Sequence, residues 1–452
     1  MRRHLIIGRF GNSDRVTIPT ALAEVSTQLQ LVISKRRLEH DIGTSLDFLS
    51  KIGVFPSEIG LDLLVLATHV QAADTRISRT TESQDAWTRE IRIVVPVSDP
   101  ARWNTAIPPL QRLLNFLTGD RWTIGFRPRP AGFEQTVRKK PSQLKRPSFD
   151  SLALFSGGLD SLIGAIDTLE QGRAPLLVSH AADGATSDAQ NTLFQALKKK
   201  YSKENLARLR IWMDFRNWGV PGVKSEKTTR GRSFLFFAAG AFAGTGLDAS
   251  FILRAPENGL IALNVPLDPL RLGAFSTRTT HPFYIARWNE LLHVLGISGR
   301  IENPYWDKTK GEMVAACNNP TLLAELAPKS LSCASPTKGR WLGRSAGHCG
   351  YCLPCLIRRA ALRNMVDHTS YALSDLTAGE LDTREAQGEQ IRSFQFAIQR
   401  IQQKPQLAAL YIHKPGPLSD ESPARQTALA DVYRRGLAEI DQLLAGVRTT
   451  PN

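Results

Sequence analysis

No run in the 452 residues approaches the roughly 20 uninterrupted apolar residues that a membrane-spanning helix needs, which argues against a helical membrane protein. The N-terminus, "MRRHLIIGRFGNSDR", has a pair of arginines before a short apolar run, but no small-residue cleavage site follows. It reads as a first β-strand rather than a secretory leader. Internal repeats are absent. Cysteine is scarce: there are five, four of them between 333 and 355. That clustering argues against a disulfide framework and points to a metal site in a reducing compartment, the cytoplasm.

What the chain does have is positive charge, +15 at neutral pH with a pI near 9.8. Such a balance suits anionic ligands such as nucleotides, nucleic acid or acidic proteins. The charge is spread out. Its two local concentrations, 137–146 and 198–203, read more readily as a solvated linker and a helix face than as binding stripes, so nucleic acid is not required. The length allows two or three domains.

Three regions are expected. Residues 1–140 mix strand signals ("HLIIGRF", "REIRIVVPV", "RWTIGFRPR") with a helical pattern over 57–74 that Ser57 caps. Because strands and helices do not alternate there, an N-terminal α+β domain is predicted, serving as scaffold or partner dock. From 148 to 365, strand and helix alternate: "LALF", "APLLVSHA", "ARLRIWMDF", "DASFILRA" and "RIENPY" are separated by helical runs of ten to fifteen residues. That pattern implies an α/β fold, a doubly wound parallel sheet covered on both faces. Residues 366–452 read as a helical C-terminal extension.

The chemistry concentrates in "SLALFSGGLDSLIG" (151–164), where a strand runs through "SGGLDS" into a helix. Gly157 and Gly158 allow a sharp turn and a close backbone approach to phosphate at a helix N-terminus. Ser156 and Ser161 add hydroxyl donors, and Asp160 can cap the helix or help hold Mg²⁺. The loop is neither GxxxxGK[ST] nor GxGxxG. It resembles the PP-loop of ATP pyrophosphatases. Two cations fall at later helix starts, Arg232 in "RGRS" and Lys310 in "DKTKGEMV". Cys333, Cys349, Cys352 and Cys355 offer four thiolates to one tetrahedral Zn²⁺, with an iron–sulfur cluster as the rival. Cys317 lies off this pattern and reads as a small buried hydrophobe.

Taken together, "SGGLDS", "GR" before an apolar helix, "TKGE" and "SLSC…CGYCLPCLIR" resemble the QueC family, the 7-cyano-7-deazaguanine synthases, over residues 150–365. The resemblance implies an adenine nucleotide alpha hydrolase-like ATP domain and a structural four-cysteine zinc subdomain near the active site. It also implies adenylylation of the carboxylate of a 7-deazaguanine-type base, then attack by an amine, with ATP, Mg²⁺ and Zn²⁺ as cofactors. Asp160, Arg232 and Lys310 would be catalytic. Ser156, Gly157, Gly158, Asp160, Ser161, Arg232 and Lys310 would hold ATP, and Arg358 matches a family arginine at the substrate. The chain departs from the family after the second strand, where "VSHAADG" places His180 toward the adenine. It departs again at 257–283, where Glu257, Asn258, Ser276, Thr277, Arg278, Thr279, Thr280 and His281 form a polar set suited to the base. The added flanking regions are similar to those of the QueC-like proteins of Qat anti-phage defence operons, which implies partner proteins from the same operon. Two other expectations stand beside the ligase: a tRNA-modifying PP-loop enzyme, and a non-catalytic nucleotide-binding scaffold.

Overall fold

A computed structural model describes residues 2–33, 37–141, 149–181, 183–202, 204–226, 230–247, 250–268, 278–337 and 345–451. The N-terminal region runs β1 (Arg3–Phe10), β2 (Glu24–Val32), α1 (Ile42–Lys51), α2 (Glu58–Arg76), α3 (Arg79–Glu82), β3 (Glu90–Val97), α4 (Pro100–Thr105), α5 (Ile107–Thr118) and β4 (Arg121–Pro128). The three strands and the Ser57 cap expected from the sequence are present; Ser57 accepts from the Gly60 amide. The architecture differs from the expected α+β arrangement, because all four strands pair in parallel in the order β2-β1-β3-β4. The β1–β2 crossover, residues 11–23, contains no helix. Its Ile18 packs on the back of the sheet against Leu5, Ile7 and Val94. A parallel pair joined without a helix leaves no alternation for the sequence to display.

The second sheet is built from β5 (Ser151–Leu154), α6 (Leu159–Glu170), β6 (Pro175–His180), α7 (Gly184–Lys200), β7 (Ala207–Ile211), α8 (Arg232–Gly244), β8 (Phe251–Arg254), α9 (Gly259–Leu263), α10 (Pro282–Val294) and β9 (Gly299–Glu302). Its five strands are parallel, in the order β7-β6-β5-β8-β9. The period-2 alternation of the strands divides the core. Leu152, Leu154, Leu176 and Val178 face α8 and α10, while Ala153, Phe155 and Leu177 face α6, α7 and α12 (Pro320–Leu326). This is the doubly wound α/β fold expected for the region.

Two helices join the sheets. Every residue of α2 from Gly60 to Asp74 is buried, as is every residue of α8 from Ser233 to Gly244. Helices buried on all sides lie inside the protein, and these two pack along each other between the sheets. Gly60 permits the approach, since a Cβ there would lie 2.3 Å from Thr245 Oγ1. The N-terminal region therefore shares one continuous hydrophobic core with the second sheet.

After α11 (Lys310–Ala315) and α13 (Leu353–Leu362), the C-terminal helices α14 (Ala386–Gln403), α15 (Leu407–Tyr411) and α16 (Pro423–Leu443) form a satellite core with α9 and α13. No helix of the described residues is long and apolar enough to cross a membrane.

Candidate functional site

In the strand order β7-β6-β5-β8-β9, the order in which successive parallel strands are added reverses between β5 and β8. Open α/β sheets bind ligands in the crevice beyond the strand ends at such a switch point. The loop after β5 is "SGGLDS", and the loop after β8 carries Glu257 and Asn258.

At the first loop, Gly157 has φ +82°, where a side chain is strained. A Cβ there would also lie 2.9 Å from Gln190 Cγ and 3.2 Å from the Gln190 amide nitrogen. Both turn and packing thus require glycine. Gly158 is the N-cap of α6, which has no side-chain cap. Ser161 Oγ donates to the Gly158 carbonyl at 3.0 Å and lies 3.2 Å from Ser156 Oγ. The two serines line the turn from which the α6 amides emerge.

Asp160 is neither the helix cap nor an open magnesium ligand. Lys310 Nζ lies 2.6 Å from its Oδ1, and Oδ2 accepts from Asn258 N at 3.1 Å and Asn258 Nδ2 at 2.8 Å. The carboxylate bridges the switch point, linking the β5 loop to the β8 loop and to α11. Asp160 and Lys310 are both buried, so losing one charge leaves the other uncompensated at a cost of about 3–5 kcal/mol.

Glu257 is next in the cluster. Its carboxylate accepts from the Thr280 hydroxyl, and Asn303 bonds its backbone at both ends, with distances of 3.2 and 2.7 Å. The residue is half-buried. Burial pushes its carboxyl up to about 7; Thr280 opposes the shift and Asp160 adds to it.

Arg232 approaches from α8. Its Nη2 lies 3.4 Å from the His180 carbonyl at the end of β6, and burial lowers its pKa. Gln190 Nε2 donates to the carbonyls of both Ser156 and His180, at 3.2 and 3.1 Å. One glutamine thus ties the glycine turn to the strand end that Arg232 touches. The His180 ring is fully buried, and neither nitrogen has a hydrogen-bond partner among the described residues. Burial lowers its pKa to about 3, so the imidazole is neutral.

The α8 N-terminus is not wholly open to a ligand. The Gly231 amide donates to Asp74 Oδ2 at 2.7 Å, and Asp74 also receives Arg79 and Arg89, each at 3.0 Å. Asp120 completes this buried network.

The other expected substrate residues divide. Thr280 joins Glu257. Arg278 turns to the N-terminal region, donating to the Phe116 carbonyl at 2.7 Å and lying over its ring. His281 also packs on Phe116, while its Nδ1 accepts from the Phe283 amide as the cap of α10. Its pKa falls to about 3 through burial. Thr279 lies between them in a turn, and Ser276 and Thr277 lie outside the described residues. Arg358, expected at the substrate, is engaged by protein groups instead. It is fully buried and donates to Ser330 Oγ, the Ala327 carbonyl and Thr369 Oγ1 at 2.7, 2.5 and 3.0 Å. An arginine next to a metal loop looks the same in sequence whether it serves a ligand or clamps the loop; here it clamps.

The sulfurs of Cys333, Cys349, Cys352 and Cys355 all lie within 4.8 Å of one another. Cys333–Cys352 and Cys349–Cys355 are both 3.9 Å apart, against about 3.8 Å for the edge of a tetrahedron with metal–sulfur bonds of about 2.3 Å. A cluster of several irons holds its thiolates farther apart, so this geometry suits one ion such as zinc. Amides converge on the sulfurs: Cys352 N lies 3.3 Å from Cys349 Sγ, and Ala334 N lies 3.5 Å from Cys352 Sγ. Gly350, at φ +89°, makes the turn between two ligands. Cys317 is buried away from the cluster, in the core beneath α6.

The cysteine loop abuts the glycine turn. Leu331 N donates to the Gly157 carbonyl at 2.8 Å, Leu159 N to Ser332 Oγ at 3.2 Å, and Ser332 N to His348 Nε2 at 3.1 Å. Ser332, His348, Gln190 and Asn303 are site residues that motif reading missed. Only Ser332 carried a signal, as part of "SLSC". No protein-family model matches this chain, and no curated protein is significantly similar to it.

Proposed function

We propose that the protein is an ATP-dependent ligase that adenylylates the carboxylate of a 7-deazaguanine-type base and passes the acyl group to an amine, in anti-phage defence. One observation supports the reading: the glycine turn, Arg232 by way of His180 and Gln190, Lys310 on Asp160, and the cysteine cluster are joined by hydrogen bonds around the switch point.

In the first step a carboxylate oxygen attacks the α-phosphorus of ATP. The bond to the bridging oxygen breaks, and pyrophosphate leaves with that electron pair. The Gly157–Gly158 turn and the start of α6 would receive the phosphates, with Ser156 and Ser161 donating. Arg232 and Lys310 would meet the charge that grows on the leaving group. Asp160 holds Lys310 in place. Because its oxygens are already engaged, magnesium would arrive as the counter-ion of ATP rather than on a prepared carboxylate. In the second step an amine nitrogen attacks the acyl carbon, AMP leaves, and the nitrogen loses a proton. Glu257, poised near neutrality, is suited to accept it. Cys333, Cys349, Cys352 and Cys355 would hold zinc, whose contribution is to fix the loop that supports Gly157 and Leu159.

The test is release of pyrophosphate and AMP from ATP in the presence of 7-carboxy-7-deazaguanine, with ammonia or an operon-encoded protein as acceptor. Turnover is expected, and Arg232→Ala should slow it by about 10²–10³. ATP binding with no pyrophosphate release from any supplied carboxylate would leave a nucleotide-binding scaffold in its place.

A further inference from the structure

We infer that α16, in the C-terminal extension, is a positioning element for Lys310, with Glu439 and Arg435 as the positioning residues. The inference rests on the reading of Lys310 as a phosphate-binding cation.

The helix that begins with Lys310 has six residues, too few to be stable alone. Its start is a capping box: Thr309 Oγ1 accepts from Glu312 N at 3.1 Å, and Glu312 accepts from Thr309 N at 2.9 Å. Both members of the box are held from α16. The Thr309 hydroxyl donates to Glu439, and Arg435 donates to Glu312. Two backbone contacts complete the grip: Gly311 N donates to Glu439 Oε2 at 3.2 Å, and Arg435 Nη2 to the Asp307 carbonyl at 2.9 Å. The segment 307–312 is thus held on both sides of Lys310 by one helix more than a hundred residues away. The approach is close: a Cβ at Gly311 would lie 2.5 Å from Glu439 Oε1, so the carboxylate as placed would have to shift.

α16 is itself firmly seated. Leu429, Val432, Tyr433, Leu437 and Ile440 pack in the C-terminal core, which includes Leu260 and Leu263 of α9. α9 follows directly on Asn258, so the same helix braces both the lysine and the corner that Asp160 grips. Lys310 spans to Asp160 on a flexible four-carbon stem. Its ammonium stays at 2.6 Å from the carboxylate only while its Cα is held, and a misplacement of about 1 Å in a reacting site costs up to 10²-fold.

The experiment measures Mg·ATP binding to the full-length, zinc-loaded chain by isothermal titration calorimetry, in a double-mutant cycle. Lys310→Ala is expected to weaken binding about tenfold or more, as loss of a charged donor does. Glu439→Ala should weaken it about tenfold, and Glu439→Gln, which keeps an acceptor, by less than about threefold. The decisive arm is the double variant, which should bind within about twofold of Lys310→Ala alone, because a residue acting through Lys310 has nothing left to position. An unchanged affinity for Glu439→Ala, or the same tenfold loss in both backgrounds, overturns the positioning role while the proposed activity stands. Normal ATP binding by Lys310→Ala removes the phosphate role of Lys310 and this inference with it. If Glu439→Ala does not fold, Arg435→Gln carries the same cycle.

Discussion

The residues of the candidate site divide by how completely the protein satisfies them. Asp160 and Lys310 are matched to each other and to Asn258, which makes them a rigid floor. Glu257 is less well matched, with one hydroxyl donor against a large burial effect. Its raised pKa has a consequence for stability. Between the ordinary carboxylate value near 4.5 and about 7, the folded state holds a proton that the unfolded chain has lost, so stability attributable to Glu257 falls as pH rises through that window. Above about 7 both states are ionised and the contribution is constant. Thermal melts at about pH 5 and pH 8 should show Glu257→Gln losing less stability than the parent over that rise. Equal losses would mean that Glu257 titrates as an ordinary surface carboxylate. His180 and His281 shift the opposite way and favour folding as pH rises, so the difference between variant and parent, not the parent curve, isolates Glu257.

At the scale of elements, α8 shows how the N-terminal region enters the site. Its apolar flanks are buried by α2, and its first turn is held by Asp74 of the same helix. Asp74 also neutralises Arg79 and Arg89 inside the protein. Replacing it with alanine should cost about 3–5 kcal/mol, as breaking a buried charge network does. ATP binding should weaken as well, because the Gly231–Arg232 peptide loses its anchor. Denaturant unfolding and ATP titration of the same variant check both effects. A loss of stability with unchanged ATP affinity would separate the network from Arg232. The α2 helix was legible from its apolar periodicity and its serine cap. That it would carry a cap for another helix more than a hundred residues later was not, because an aspartate in a buried helix reads only as an anomaly until its partners are placed.

For the whole molecule, the two sheets and the thiolate loop depend on one another. The shared core makes the N-terminal region part of the folding unit, and the thiolate loop is bonded directly to Gly157 and Leu159. Stripping bound metal with a strong chelator should therefore lower the thermal midpoint and weaken ATP binding together, and added zinc should restore both, since metal binding at such a site is folding free energy. Loss of metal without change in either property would make the cluster a separate appendage.

By itself the sequence determined what local pattern can carry: five alternating strands and helices, the glycine turn at 157–158, the cations at 232 and 310, and four clustered cysteines able to hold a metal. Each depends on neighbours within a few residues, where backbone geometry and side-chain reach are set by spacing alone. Tertiary structure alone decided that Asp160 grips Lys310 and Asn258 instead of standing open, that Arg358 clamps a loop, that Arg278 and His281 turn to Phe116, and that the N-terminal strands lie parallel. Those outcomes are contacts between segments tens to hundreds of residues apart. Which donor meets which carboxylate there is fixed by how helices and sheets pack, a property that no short stretch of chain possesses.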